Sequence, residues 1–593
     1  MILARYHQAL SAYHACQWST AYQIAEDCIA AVPEDMMLYL NAKCLCAAAL
    51  MMMDQIEQAL VIWQEVDASL PDDTGILANI GWALIRLQHY HEAVDYLQRT
   101  IKLDPNFAKA HLNLGIAFYH MGMPQQAKMS YEQALICNPM YAQAKYNLAI
   151  LLQDDGYFEE ALQAHKDVLI CDPNHADALA SIVFMQNFSY PLDLPQQFEL
   201  VKRYGMGFQY KENVFTPARF HAPPLTIGFV SADLRQHPVG YFLESMLTEL
   251  RADLSVKSQL RLIAYHNHKI HDDYTHRLQA CFDVWHQIDQ WNDDYLAEQI
   301  QSDDVDILID LSGLMQGKRL AVFAKKIVPL QISWLGYSGS TGLPAIDYVL
   351  ADWISVPMSE EHWFIEKIWR LPALRYCFSP PRDAPKVSIP PCIHRPQIVF
   401  GCYQALPKIN QAVLSCWKRI LAACPDARLR IQSLSFEQSA IKDRFFLRLK
   451  AEDLDVDRID LIDPMVRSDY LASYAEVDIL LDTFPFPGGT TTAEALWMGV
   501  PTITLAMPSM LGRQGEAIMV NAGLSDWVVY SEDEYVEKAV AWGNADVFQR
   551  QRLVALRVKM REQLCESPIF NAKQFMKDFV SALFAMWSKK STG

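Results

Sequence analysis

The stretch DTFPFPGGTTTAEALWMGVPTITL, residues 482–505, reads as a strand end, a sharp turn, a row of hydroxyls, a helix and a further strand. Gly488 and Gly489 permit backbone conformations and close approaches denied to other residues. Thr490, Thr491 and Thr492 bring hydroxyls and amide N–H groups to a helix N-terminus. Such a terminus carries roughly half a positive charge and accepts anion oxygens, although Gly followed by Thr also serves as an ordinary helix cap. Glu494, one turn further on, either accepts hydrogen bonds from ribose hydroxyls or simply favours the helix dipole.

Working outward, PQIVFGCYQALPKIN, ARLRIQS, RIDLIDP and VDILLDTFP are short apolar runs alternating with helical patterns. The same texture occurs earlier, in PLTIGFVSADLRQHPVGYFLESML, LRLIAYHNH, VDILIDLSG, PLQISWLGYSGSTG and AIDYVLADWIS. Each set predicts a parallel sheet with helices on both faces, and the proline-rich residues 379–396 are the expected hinge between them. Paired doubly wound domains bind ligands at the carboxyl ends of their strands, so the loops there carry the candidates. Lys408 follows the first strand of the second set, His237 follows the first strand of the earlier set, and Arg513 in MLGRQGEA is a third cation. Each of the three also reads as a structural or surface residue on spacing alone.

The first third of the chain is a repeat array. Pro71, Pro105, Pro139 and Pro173 fall 34 residues apart, and Ala59, Ala93, Ala127 and Ala161 each lie twelve residues before one of them. Ala47, Gly81, Gly115 and Ala149 keep the same phase. Small residues there let two antiparallel helices approach closely, and period 34 is the tetratricopeptide signature. Ala21 and Pro33 predict one more repeat, displaced by about four residues around MMMDQ. An apolar helix from residue 177 to about 190 is expected to cap the array. Such arrays curve into grooves for extended peptides, which predicts protein partners.

Composition limits what the chain can do. The 593 residues are 51% hydrophobic and 20% charged, with a formal net charge of -18. That charge argues against a general nucleic-acid or membrane-surface binder and confines any phosphate site to a local pocket. Thirteen cysteines without CxxC pairs read as reduced thiols and predict a cytoplasmic setting. Neither an export signal nor a membrane-spanning run is expected. His266, His268 and His271 lie close together, but no second cluster has ligand spacing, so no metal site is predicted.

The motifs GFVSADLRQHPVGYF, DLSGLMQGKR, LQISWLGYSGSTG, ALPKIN and LDTFPFPGGTTTAEALWMGVP, behind a tetratricopeptide array, resemble the protein O-linked N-acetylglucosamine transferase family, which includes the SPINDLY-type O-fucosyltransferases. The resemblance covers about residues 10–588. It implies an α-solenoid followed by a GT-B glycosyltransferase: array 1–190, linker 191–222, N-terminal catalytic α/β domain 223–390, C-terminal nucleotide-sugar domain 391–568, and a helix crossing back at 569–593. It further implies metal-independent, inverting transfer of a sugar from a nucleotide donor to Ser or Thr of proteins. UDP-N-acetylglucosamine is the favoured donor, GDP-fucose the alternative, and a decayed scaffold the reading from another class. An N-linked glucosyltransferase is a weaker rival. Catalysis is carried over to His237 and Lys408, and donor binding to Gln404, Lys408, Gly489, Thr490, Thr491, Thr492, Glu494 and Arg513. Acceptor proteins along the repeat groove and a homo-oligomer are the partners this implies.

Three departures stand out. Gly-Gly-Thr-Thr replaces the animal Gly-His-Thr-Thr; Gly313, Leu314 and Met315 replace the common Gly-Tyr-Thr; and Ser338 follows Tyr337 where proline is commoner. Leu314 and Met315 are expected to form an apolar wall for an N-acetyl methyl or the C6 methyl of fucose.

Overall fold

The computed structural model describes residues 2–31, 35–208, 215, 220 and 222–592, so Pro33 and most of the proposed linker end lie outside the described residues. The chain divides into two compact units, Met1–Ala178 and Leu179–Gly593.

The first unit consists of helix pairs: Ile2–His14 with Trp18–Ala31, Met36–Met52 with Ile56–Ser69, Thr74–Arg86 with Tyr90–Leu103, Ala108–His120 with Pro124–Cys137, and Ala142–Asp154 with Phe158–Cys171. Small residues set the spacing within the pairs. A Cβ on Gly81 would lie 2.7 Å from Leu97, and one on Gly115 only 2.4 Å from Tyr131. The chain reverses through residues of positive φ at Asp54, Gln88, Gly122 and Gly156, the same 34-residue beat. Cys16 is the corresponding reversal in the first pair, 38 residues before Asp54. The four extra residues are taken up as one more turn of Met36–Met52, which has 17 residues where Thr74–Arg86 has 13.

The second unit contains two parallel sheets. The first is built from β1 (Leu225–Ser231), β2 (Leu260–His266), β3 (Val284–Gln287), β4 (Ile307–Asp310), β5 (Leu330–Ser333), β6 (Tyr348–Ala351) and β7 (Lys367–Arg370), in the order β3-β2-β1-β4-β5-β6-β7. The second comprises β8 (Val399–Cys402), β9 (Arg428–Gln432), β10 (Ile459–Ile462), β11 (Ile479–Leu481), β12 (Thr502–Leu505) and β13 (Val528–Val529), in the order β10-β9-β8-β11-β12-β13. In both, the order reverses beside the first strand, at β1/β4 and β8/β11, so a crevice opens at those carboxyl ends. The central strands β4, β5 and β8 are buried throughout, as parallel strands covered on both faces must be. The C-terminal helix Ala572–Thr592 packs on the first sheet: Phe575, Phe579, Leu583 and Met586 join the core of β1, β4 and β5.

Two boundaries differ from the sequence reading. The first unit ends at Ala178 rather than at residue 190, because the following segment packs on the α/β pair: Phe188 stacks on Phe486 at 5.3 Å and the Tyr190 hydroxyl donates to Glu532 at 2.7 Å. The stretch read as linker contains the helix Leu194–Met206, capped by the Asp193 carboxylate. This helix lies so close to the loop after β5 that a Cβ on Gly205 would meet the Gly342 carbonyl at 1.8 Å. The proline-rich segment 379–396 is pinned rather than loose: Cys392 N–H donates to Asp478, and Arg557 to the Ser388 hydroxyl.

Candidate functional site

A cavity of about 760 Å³ lies at the switch points of both sheets, within the size range of ligand pockets. Among its lining residues are His237 and Tyr241 from the β1 side, Gln404 and Lys408 from the loop after β8, and Gly489, Thr490, Thr491 and Glu494 from the segment after β11.

The loop after β11 is organised by Asp482, which is buried. Its Oδ1 accepts N–H groups of Thr483 at 3.0 Å and Gly488 at 2.8 Å and the Gln404 amide at 3.2 Å, while Oδ2 accepts the Thr504 hydroxyl at 2.9 Å. Burial pushes this carboxyl up to about 6 against those hydrogen bonds. Gln404 Nε2 also donates to Thr491 Oγ1 at 2.8 Å. Glycine is required here by space: a Cβ on Gly488 would stand 2.3 Å from Gln404 Nε2 and 2.4 Å from Thr491 Oγ1.

Lys408 Nζ donates to Gln404 Oε1 at 3.1 Å and to the Pro487 carbonyl at 3.2 Å, and rests 3.9 Å above the Phe486 ring. It is half-buried, and desolvation lowers it to about 8 despite the opposing pull of Asp482. Lys408 and the N-terminal turn of the helix Thr490–Trp497 thus bring positive potential to the same cavity.

His237 caps the helix Pro238–Ala252: its Nδ1 accepts the Val239 N–H at 3.3 Å and stands 3.6 Å from the buried Asp233 carboxylate. Desolvation, aided by Arg235 and His268, lowers it to about 4. The ring is therefore neutral near pH 7, and with Nδ1 accepting, the hydrogen sits on Nε2. The family resemblance implies a base or an acceptor-site organiser at His237; in this tautomer its Nε2 is a donor.

Other sequence-picked residues fall elsewhere. Arg513 does not line the cavity; its guanidinium pairs with Glu360 and Glu516. Thr492 is buried and donates its hydroxyl to the Gly488 carbonyl at 3.1 Å, which ties it to the turn rather than to the cavity. Leu314 is buried and does not line the cavity, leaving Met315 alone of the expected apolar wall on its surface, which Leu335 and Phe242 also line. Glu494 lines the cavity but is ion-paired with Arg467 and accepts the Tyr470 hydroxyl at 2.9 Å.

Asp482, Arg467 and Tyr470 were not picked from sequence. The rule that loops after strands carry the chemistry points to Arg467 and Tyr470, five and eight residues beyond the end of β10 at Ile462. Arg467 reaches across the cleft, its guanidinium 4.9 Å over the Tyr241 ring. Among the described residues no group of three or more His, Cys, Asp or Glu is arranged to hold a metal ion, and no helix is long and apolar enough to cross a membrane.

Two doubly wound sheets facing one cavity at their switch points define the GT-B architecture. The chain belongs to glycosyl transferase family 41, whose sequence profile matches residues 200–377 and 393–579; a tetratricopeptide repeat profile matches residues 81–122. It is 32% identical over 388 residues to an Arabidopsis thaliana protein named as a probable UDP-N-acetylglucosamine-peptide N-acetylglucosaminyltransferase, SPINDLY, covering 64% of this chain and 41% of that one. A second A. thaliana relative of the same description, SEC, is 26% identical over 449 residues, covering 70% of this chain and 44% of its own. The chain thus spans about two-fifths of the length of these curated relatives. A solved structure of a mutant O-GlcNAc transferase from Thermobaculum terrenum superposes with a TM-score of 0.75 at 28% identity, covering 88% of this chain and 98% of that one.

Proposed function

We propose that this chain is an inverting protein O-glycosyltransferase that moves N-acetylglucosamine from UDP-N-acetylglucosamine to Ser or Thr hydroxyls, with acceptor proteins selected along the repeat array. The observation that carries this reading is the cradle of Lys408, Gln404, Thr490 and Thr491 within the same cavity as His237. The acceptor oxygen attacks the anomeric carbon as the bond to the diphosphate breaks. Negative charge then grows on the departing nucleoside diphosphate, where Lys408 and the N-terminus of the helix Thr490–Trp497 meet it. His237 Nε2–H positions an oxygen at the reacting centre, and the hydroxyl proton passes to a donor phosphate oxygen. Because the cradle supplies its own cationic charge, the reaction proceeds without a metal. The thirteen unpaired cysteines support a cytoplasmic setting.

The test is intact-mass analysis of candidate acceptors incubated with UDP-N-acetylglucosamine, UDP-glucose or GDP-fucose, with EDTA present in one arm, beside calorimetric titration of UDP and GDP. UDP is expected to bind more tightly and the added mass to be that of N-acetylhexosamine, with or without EDTA. A clear preference for GDP moves the protein to fucosyl transfer. Absence of both binding and donor hydrolysis leaves a repeat scaffold.

A further inference from the structure

The side of the cavity formed by the first sheet holds donors that the protein itself does not use. Arg375, five residues beyond the end of strand β7 at Arg370, is 1% exposed and lines the cavity. Its Nη2 donates to the Ser338 hydroxyl at 2.7 Å, but Nε and Nη1 have no hydrogen-bond partner among the described residues. The adjacent Tyr376 is 2% exposed, lines the same cavity, and its hydroxyl has no partner either. The guanidinium lies 4.7 Å over the Tyr376 ring, which attracts the cation but accepts none of its in-plane N–H groups. The nearby Asp352 carboxylate does not relieve it: its oxygens accept the N–H groups of Ile354, Ser355 and Arg375 and the Ser355 hydroxyl, and it forms no ion pair with the guanidinium.

Buried donors left without acceptors cost more than the net value of an ordinary hydrogen bond, so two neighbouring residues with three such atoms at one cavity wall ask for an acceptor from the ligand. A guanidinium only donates, so its partner must be an acceptor, and a carbonyl oxygen answers it with two lone pairs while bringing no proton that would need a further partner in this wall. Around these donors the wall is apolar, with Phe242, Met315 and Leu335 on the cavity surface and the Phe242 ring 4.8 Å from that of Tyr376. A carbonyl oxygen joined to a methyl group matches both halves of this surface. Ser338 is part of the device, because a proline at that position would have no hydroxyl to hold Nη2.

We propose that Arg375, oriented by Ser338 and assisted by the Tyr376 hydroxyl, reads the acyl oxygen of a 2-acylamino sugar on the nucleotide donor and is a specificity-determining residue for that substrate class. This rests on the glycosyltransferase reading above and deepens it. The test is calorimetric titration of UDP, UDP-N-acetylglucosamine, UDP-glucose and UDP-glucuronic acid into the full-length wild type and into Arg375→Met, Arg375→Lys and Tyr376→Phe, each checked by thermal melting. The wild type is expected to prefer UDP-N-acetylglucosamine to UDP-glucose. Arg375→Met should lose that preference by about 10-fold to 100-fold while binding UDP within about twofold of wild type. Tyr376→Phe, which removes a single atom, should lose a smaller part of it.

An equal loss for UDP and for both neutral UDP-sugars in Arg375→Met overturns the inference, since Arg375 would then only support the fold. Arg375→Lys and Tyr376→Phe decide the matter if Arg375→Met does not fold: unchanged sugar preference in both also overturns it. Tightest wild-type binding of UDP-glucuronic acid would assign the guanidinium to a carboxylate and overturn the acyl reading. Failure of the wild type to bind UDP at all refutes the glycosyltransferase reading itself, and that result is distinct from the other three.

Discussion

Gln404 Nε2 donates to Thr491 Oγ1 at 2.8 Å, which ties the loop after β8 to the helix after β11. The same side chain accepts from Lys408 through Oε1 at 3.1 Å and donates to Asp482 at 3.2 Å. One amide thus sets the spacing between the cradle's cation and its hydroxyls.

Lys408→Met should lower transfer by at least about 100-fold, because the departing diphosphate loses its positive partner. The fold should survive. Desolvation already lowers Lys408 to about 8, below its ordinary 10.5, so its charge is held at a cost that the substitution removes. The sign of the pH effect follows. Between about 8 and 10.5 the unfolded chain binds the proton that the folded chain has lost, so this lysine's contribution to stability rises with pH across that window. UDP binding goes the other way: the diphosphate needs the ammonium, and affinity should fall above pH about 8. Calorimetric titration of UDP from pH 6 to 10 checks this, and a flat wild-type profile would remove Lys408 from the cradle.

His237→Asn should keep the helix Pro238–Ala252 capped, since asparagine also accepts an N–H at that position, and so should melt close to wild type. His237→Ala should cost about 1 kcal/mol through loss of the cap. Both should reduce transfer. Because the ring is lowered to about 4, the unfolded chain binds more protons between 4 and 6.5, and this residue's contribution to stability is lost as pH falls through that range. The wild-type pH–rate profile should show no limb near 6.5; one found there would return His237 to the role of a base titrating in the ordinary range.

The sequence made the repeat phase legible because a 34-residue beat of small residues is imposed by backbone contact, as at Gly115 against Tyr131. The central strands were equally legible because burial on both faces demands continuous apolar runs. The edge strands β3 (VWHQ) and β7 (KIWR) were missed because half-covered segments carry no such demand, and β13 (VV) because two buried residues are too short a run to show one. In the site, Lys408, Gly489, Thr490 and Thr491 follow from loops placed after strands, and Gln404 from the family resemblance. The outward turn of Arg513 does not, because it depends on Glu360, 153 residues away in sequence. The orphaned donors of Arg375 and Tyr376 were invisible for the same reason: an absent partner leaves no pattern in the chain.

Gly488→Ala should weaken UDP binding by about 10-fold to 100-fold, because the added methyl would stand 2.3 Å from Gln404 Nε2 and must displace the amide that orders the cradle. Gly523→Ala is the control. Its positive φ of 73° makes a side chain there strained, but a Cβ meets nothing within 4 Å and the residue does not line the cavity, so it should lower the melting temperature without changing UDP affinity. Equal UDP affinity in Gly488→Ala and wild type would show that the cradle does not depend on this packing.

Asp482 offers a prediction in which charge and packing separate. In Asp482→Asn the remaining carbonyl oxygen can keep the three N–H donors now on Oδ1, and the Thr504 hydroxyl can reverse to accept from the new amide, so stability should change by only about 1 kcal/mol. Asp482→Ala strands all four donors in a buried loop and should cost about 3 kcal/mol or more, measured by urea unfolding. The loss of charge should also change how Lys408 titrates. Asp482 is the charge that raises Lys408 against desolvation, so in Asp482→Asn the lysine should give up its proton more easily and the alkaline limb of UDP affinity should move below about 8. At pH 6, where Lys408 is still protonated, the loss of a negative charge beside the diphosphate should leave UDP binding as tight as in wild type or tighter. An Asp482→Asn enzyme whose UDP affinity falls off at the same pH as the wild type would break the electrostatic link between the two residues and leave Asp482 a purely structural anchor.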